Sequence, residues 1–426
     1  MIFGKNVFIN KNNQKKYIFL LSFIIIFSTF YFFTSIYNDN NNNKSSFNEV
    51  SQSKNFLLSS IFQIIFSISL IIIFFQIFSR SIKNIKYNFK YWTPNSPSLK
   101  SIINYVLDVT NKNSKNFIPK EDRIALFDFD GTIYGEKAPL YVEYYMYYDF
   151  LKNNPKFLEN EPHKSIFKRL ELSCKAKKLI DFELEYDAIE AEAKIYKGFS
   201  IEEHKNFVRK FAENNVKCFS NLKFKNLFYL PMIELVEFLQ QNDFIIYVVS
   251  ASDRFLVREY LKYHFKIPEQ NVIATDVELM PKSELTNFEK TGKINEYLNF
   301  EKNDILIRNG NLIKKNVQLS KVRMVAREIG KIPVLSFGNS NSDIPLQNYV
   351  LSGKKYKREV YMVVADDIKR EYGVDKIDEN GKIDKSKSDK IKKKWKSEKY
   401  GYNIISMRDD FKTIYGDDVK LIDYEE

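Results

Sequence analysis

Histidine and cysteine are scarce, at three and two in 426 residues. Two cysteines, Cys174 and Cys218, exclude a disulfide scaffold, and three scattered histidines leave a histidine-based zinc site short of ligands. His163, His204 and His264 fall in helical patterns and read as structural; the cysteines read as small buried apolar residues. Only 13 glycines and 11 prolines exclude collagen-like and Pro-rich architectures. Neither GxxxxGK nor GxGxxG occurs, so nucleotide binding by those loops has no support. Apolar residues are not lacking: at 44% they exclude wholesale disorder, and the length allows two or three domains.

A formal charge of +12 would suit a nucleic-acid binder, but its distribution argues otherwise. Residues 1–100 hold eleven Lys/Arg against Asp39 and Glu49, which is +9, leaving only +3 for the other 326 residues. That excess flanks two uncharged runs, Tyr17 to Tyr37 and Asn55 to Ser79. The first, 21 residues at about 1.5 Å each, reaches about 31 Å, a bilayer core. It is too long for a signal-peptide core and lacks an A-x-A-like cleavage site. Lys5, Lys11, Lys15 and Lys16 precede the first run, and Arg80, Lys83, Lys86 and Lys90 follow the second. The expectation is a two-helix transmembrane hairpin with both ends cytoplasmic. The Lys390 to Lys396 run reads as a solvated helix face.

Chemistry is expected from residue 124 on. The apolar run IALF ends in Asp128-Phe129-Asp130-Gly131-Thr132. Carboxylates at i and i+2 share one side of a strand, and the glycine lets the chain turn away. Two acids aimed at one spot repel unless a cation holds them or their pKa values part, which suits a divalent metal plus covalent and acid–base chemistry on a phosphate. FIIYVVSASD reads as a second strand ending in Ser250, and IPVLSFGNSNSD as a third, followed by Asn339 and Asp343. Lys321 opens the helical pattern VRMVAREIG between them. Three strand ends so equipped, with helices between, fit a parallel sheet with its ligand at the carboxyl edge.

DFDGT (128–132), VVS (248–250), Lys321 and GNSNSD (338–343), in this order, resemble the haloacid dehalogenase superfamily, in its phosphoserine-phosphatase-like branch, over about residues 122–350. The resemblance implies that Asp128 attacks phosphorus to form an aspartyl-phosphate and that Asp130 serves as acid and then base. It implies phosphoryl binding by Thr132, Ser250 and Lys321. It implies Mg2+ held by Asp128, the Asp130 backbone carbonyl and Asp343, with Asn339 standing where the family usually has aspartate. Lys314 and Lys315 compete with Lys321 for the lysine role; Lys321 is favoured because it starts the helix leading to the fourth motif. Glu136 occupies a place where the branch often has an acid facing the substrate.

The expected fold is α/β, a Rossmann-like parallel sheet with a helical cap inserted after the first strand, preceded by the hairpin. The expected divisions are a basic N-terminus (1–16), spans at 17–37 and 55–79 about a loop at 38–54, and a juxtamembrane linker at 80–120 containing one short helix. The catalytic core takes 121–134 and 231–426, including a C-terminal extension, and the cap takes 135–230. The aromatic cluster YVEYYMYYDF (141–150) reads as a core helix, with a quaternary-ammonium pocket as the alternative. Asp366, Asp367, Asp409 and Asp410 read as solvated turn residues. The expected activity is a Mg2+-dependent phosphatase for a small polar phosphomonoester, tethered to a membrane by two spans, with no nucleic-acid partner. The alternatives are a degenerate membrane-tethered binding module, a phosphotransferase, or a lipid-headgroup phosphatase. Oligomeric state is left open.

Overall fold

The structure is a computed structural model that describes residues 87–136, 140–176, 182–295, 297, 300–377, 380 and 382–422. The expected spans at 17–37 and 55–79 lie outside the described residues. Among the described residues no helix is long and apolar enough to cross a membrane. Residues 87–426 form one compact unit.

In chain order its elements are α1 (Pro97–Thr110), β1 (Ile124–Phe127), α2 (Val142–Asn153), α3 (His163–Ala176), α4 (Phe182–Ile195), α5 (Ile201–Ala212), α6 (Leu230–Gln241), β2 (Ile245–Asp253), α7 (Arg254–Leu261) and β3 (Val272–Pro281). There follow α8 (Leu285–Thr291), β4 (Leu306–Lys314), α9 (Leu319–Ile329), β5 (Leu335–Gly338), α10 (Ile344–Ser352) and β6 (Glu359–Val364). A two-residue ribbon, β7 (Lys376–Ile377) with β8 (Ile383–Asp384), precedes α11 (Ser386–Lys396), β9 (Asn403–Ser406) and α12 (Met407–Asp410).

Seven strands form one sheet in the order β4-β3-β2-β1-β5-β6-β9. Every pairing is parallel except β3 with β4, which is antiparallel. β1 lies between β2 and β5, with Phe127 opposite Val248 on one side and Phe337 on the other. A strand covered on both faces must be apolar throughout, and all four residues of β1 are buried. Alternate residues serve opposite layers. Ala125 and Phe127 join the cluster that holds Tyr105, Leu235 and Leu256 of α1, α6 and α7. Ile124 and Leu126 join the one that holds Val325, Leu346 and Trp395 of α9, α10 and α11. Four helices, α2 to α5, occupy the chain between β1 and α6.

Two expectations need correction. From Tyr87 on, the stretch expected as linker is packed into the fold. Trp92 is buried, donates its indole N–H to the Pro231 carbonyl at 2.8 Å and meets the Phe411 ring edge-on at 5.1 Å. α1 buries Ile102, Tyr105, Val106 and Val109 against the sheet. Its signal was a Pro at the first helical position after Ser96, whose hydroxyl accepts the Leu99 N–H. The second correction concerns the C-terminal acids: Asp366, Asp367 and Asp410 are buried, and Asp409 alone of the four is exposed. Asp366 accepts from the Ser406 hydroxyl, the Arg408 N–H and Lys392. Asp410 accepts from the Ser96 hydroxyl and the Ser406 N–H. These carboxylates tie the last sheet strand to α1 and α11, so the extension completes the sheet.

Candidate active site

The ends of β1, β2 and β5 converge with the N-terminus of α9. The Asp128 N–H continues the β1–β5 ladder to the Phe337 carbonyl at 2.9 Å, holding the first acid at the strand's exit. The chain then folds on itself: the N–H groups of Thr132, Ile133 and Tyr134 all reach the Phe129 carbonyl, and Gly131 takes φ +74°. A Cβ on Gly131 would collide with the Asn339 amide, so glycine is required both for the backbone and for the space.

Lys321, in the first turn of α9, is 1% exposed, and its ammonium lies 2.7 Å from Asp128 Oδ1 and 2.7 Å from Asp343 Oδ1. The other Asp343 oxygen accepts the N–H groups of Asn339 and Ser340 at 3.1 and 3.0 Å. Gly338 leaves no room for a Cβ beside Asp343. Burial, and then the nearby Asp343 charge, raises the Asp128 carboxyl well above its usual range, while Lys321 pulls the other way. Burial opposes the charge on Lys321, but Asp128 and Asp343 together raise its pKa. Two buried carboxylates sharing one ammonium remain short of positive charge.

Asp130 Oδ2 accepts the Ser252 hydroxyl at 2.7 Å, whereas Oδ1 is buried without a partner. Burial lifts Asp130 to about 7. The Ser252 hydrogen bond lowers it and the Glu136 charge raises it. An acid poised near neutrality is the form that general acid–base work requires.

A cavity of about 150 Å³ opens over these groups, lined on the core side by Asp128, Asp130, Ser252, Lys321 and Asn339. Its other wall includes Tyr141, Glu143 and Tyr144 from the start of α2 and Glu185 from α4. Glu136 also lines it, accepting from the Asn339 amide N–H at 3.2 Å and the Tyr141 hydroxyl at 3.3 Å. The structure thus brings together Asp128, Asp130, Glu136, Lys321, Asn339 and Asp343. Of the competing lysines, Lys314 is exposed, and Lys315 turns to the Tyr144 hydroxyl and Glu185. Thr132 and Ser250 are fully buried and are not among the cavity's lining. Ser250 accepts the Ser252 N–H from behind the wall, at 3.0 Å.

Sequence reasoning missed Ser252, Glu143, Gln318 and Glu185. Ser252 had a signal, since it stands two residues after Ser250 at a strand end and so shares its side. β2 shifts register between Val249 and Asp253, the stretch that holds Ser252, and Ser252 lines the cavity. Glu143 and Glu185 had none, because their arrival depends on how α2 and α4 cover the sheet. The aromatic cluster serves both: Tyr144, Tyr145, Tyr147 and Tyr148 join the core, and Tyr144 with Tyr141 also lines the cavity. Neither cysteine nor any histidine lines the cavity. Both cysteines are buried, and burial holds His204 down at about 3.

Among the described residues no group of three or more His, Cys, Asp and Glu side chains converges as a metal site. The donor set here is all oxygen: the Asp128 and Asp343 carboxylates converge on Lys321, and Asn339 lines the same cavity. Two carboxylates with excess negative charge, completed by carbonyl oxygen and water, fit Mg2+ and not a soft metal.

The sequence profile described as haloacid dehalogenase-like hydrolase matches residues 125–347, more than half of the chain. None of the curated proteins compared with it matches. Similar solved structures include a protein of unknown function from Bordetella pertussis Tohama I, 15% identical over 66% of this chain and 97% of that one, TM-score 0.37. Another is a conserved functionally unknown protein from Anaerococcus prevotii DSM 20548, 14% identical over 64% and 87%, TM-score 0.39. A third is a phosphoserine phosphohydrolase-like protein from Francisella tularensis subsp. tularensis SCHU S4, 18% identical over 57% and 88%, TM-score 0.31. Scores this low mark a loose likeness of chain trace.

Proposed function

The chain belongs to the haloacid dehalogenase-like hydrolases, and we propose that it is a Mg2+-dependent phosphatase that hydrolyses a small phosphomonoester through an aspartyl-phosphate on Asp128. One observation carries this reading: Lys321 lies 2.7 Å from both Asp128 and Asp343, beside an Asp130 oxygen that is buried and unpartnered. A nucleophile, a charge-neutralising cation and a proton carrier thus face one cavity.

In the first step an Asp128 carboxylate oxygen attacks phosphorus, and the bond from phosphorus to the ester oxygen breaks. The departing alkoxide takes its proton from Asp130, whose pKa, raised to about 7, keeps a large protonated fraction at neutral pH. In the second step Asp130, now ionised, removes a proton from water. The resulting hydroxide attacks phosphorus, and phosphate leaves with Asp128 restored. Lys321 offsets charge on the phosphoryl oxygens throughout. Asp128, Asp343 and the Asp130 backbone carbonyl would hold Mg2+, with Asn339 near it; when bound, the cation supplies further neutralisation of the phosphoryl group. Ser252 orients Asp130 through its hydroxyl, and Ser250 supports Ser252 from behind. The helices α2 to α5 act as a cap that excludes water.

The charge-flanked runs at 17–37 and 55–79 support a membrane tether with the catalytic unit on the cytoplasmic side. The test is phosphate release from p-nitrophenyl phosphate by the full chain, with Mg2+ and with a chelator. Asp128→Asn should lose several powers of ten, because the covalent route runs through the Asp128 carboxylate. Equal activity of the variant and the unaltered protein would refute the covalent route.

A further inference from the structure

Building on the phosphatase reading, we infer that the preferred ester has a positively charged leaving group, a small amino alcohol, and carries no second anion. The cavity's described lining holds five carboxyl groups, Asp128, Asp130, Glu136, Glu143 and Glu185, against one ammonium, Lys321. Lys321 is already divided between Asp128 and Asp343. A divalent cation and a dianionic phosphoryl group cancel each other. With Asp130 protonated as the acid, Glu143 pushed up to about 8 by burial and Glu185 bonded to Lys315, the wall offers carboxyl oxygens with Glu136 beside them and no described cation for a second anion.

Two of these carboxyl groups are brought by helices that cover the sheet. Glu143 and Glu185 come from α2 and α4 and line the same cavity as the nucleophile. Glu143 is 2% exposed, and its Oε1 accepts the Asp253 N–H at 3.0 Å, which fixes the carboxyl in the wall. Burial and the neighbouring Asp253 and Asp130 charges disfavour its ionised form, while Lys315 favours it. A cation arriving at the cavity would relieve that strain, and an anion would increase it. The buried, unpartnered Asp130 Oδ1 also belongs to this space and calls for a ligand atom.

A second observation shows what this wall tolerates. The Lys315 ammonium lies behind it, 2.6 Å from the Tyr144 hydroxyl, bonded to Glu185 and 5.4 Å from the centre of the Tyr144 ring. Carboxylate, phenol and ring face therefore already accommodate one ammonium from the protein side. Tyr141 and Tyr144 line the cavity face of the same wall, with their rings at 80° to each other, so a substrate ammonium meets the same chemistry. A leaving group bearing a carboxylate or second phosphate meets no described basic side chain other than Lys321. A volume of about 150 Å³ admits a phosphate with a few further heavy atoms, not a nucleotide.

The test is a kcat/KM series on the full chain in detergent with Mg2+, using ethanolamine phosphate, choline phosphate, glycerol phosphate, glycerate phosphate and p-nitrophenyl phosphate. The ammonium esters should exceed glycerol phosphate at least tenfold, and glycerol phosphate should exceed glycerate phosphate. Glu143→Gln, which keeps the acceptor for the Asp253 N–H, should reduce the ratio of ethanolamine phosphate to glycerol phosphate by about tenfold. Equal kcat/KM for the ammonium, neutral and anionic esters, or the reverse order, would overturn the inference while leaving the phosphatase reading intact. No Mg2+-dependent release from any ester, p-nitrophenyl phosphate included, would overturn both. The ranking within the unaltered protein decides the matter even where the variant fails to fold.

Discussion

Among the described residues, Ser252 supplies the hydroxyl that fixes the direction of Asp130. By occupying Oδ2 it leaves Oδ1 as the oxygen that faces a leaving group. It also lowers the Asp130 pKa against the effect of burial, which carries that carboxyl from 3.8 to about 7. Phosphorylation of Asp128 needs Asp130 protonated, so the burst of alcohol released in the first turnover should fall as pH rises through about 7. Removing a hydrogen bond to the ionised carboxylate raises the pKa further, so Ser252→Ala should move that descending limb to higher pH. It should also reduce the burst rate by about 10–100-fold through lost orientation, and Ser252→Thr should restore much of it. A limb that stays in place in Ser252→Ala would exclude this role. The residue itself was legible in VVSASD by strand alternation, as Asp128, Asp130, Lys321 and Asp343 were legible by order and spacing. Thr132 and Ser250 were expected as phosphate ligands from the family resemblance, and Ser250 also as a hydroxyl at a strand end; both are fully buried outside the cavity's lining.

Elements far from the cavity hold the strand ends in place. The short run IALF announced itself as a doubly covered strand, and its neighbours β2 and β5 did so equally. The sequence around Trp92 and α1 read as a linker because TPNSPS and NKNSKN look solvated, although the residues between them carry a helical stripe. What decides their placement is a partner more than 300 residues away: Trp92 pairs with Phe411 through backbone and ring alike. The same holds for Asp366 and Asp410, which look like exposed turn acids until Ser406, Lys392 and Ser96 arrive as partners. No local pattern encodes such pairings. Trp92→Ala should therefore cost about 3–5 kcal/mol, the usual penalty for truncating a buried aromatic, here with the Pro231 carbonyl left without its donor. Urea unfolding of residues 87–426 measures it; a loss under about 1 kcal/mol would mean that this stretch is an appendage after all.

At the scale of the whole chain, charge is the property that separates its two parts. The first 100 residues carry +9 of the +12, and they hold both long uncharged runs. A protein held to an anionic membrane by basic residues alone would let go in high salt, since at about 1 M the Debye length is about 3 Å. Two apolar spans would not release, because the transfer of their side chains from water to lipid is insensitive to ionic strength. We predict that the full chain stays with membranes through washes at about 1 M salt and at alkaline pH, and leaves only in detergent. Residues 87–426, which form a compact unit of their own, should stay in the aqueous fraction. The runs contain no charged residue of the kind that marks a transport path, so the tether should take no part in the chemistry. Full chain and fragment should then hydrolyse a soluble ammonium ester with the same kcat/KM, with or without liposomes. Release of the full chain by salt would remove the spans from the description. Turnover confined to the full chain on a phosphorylated lipid would move the substrate into the bilayer and make the hairpin part of the active enzyme.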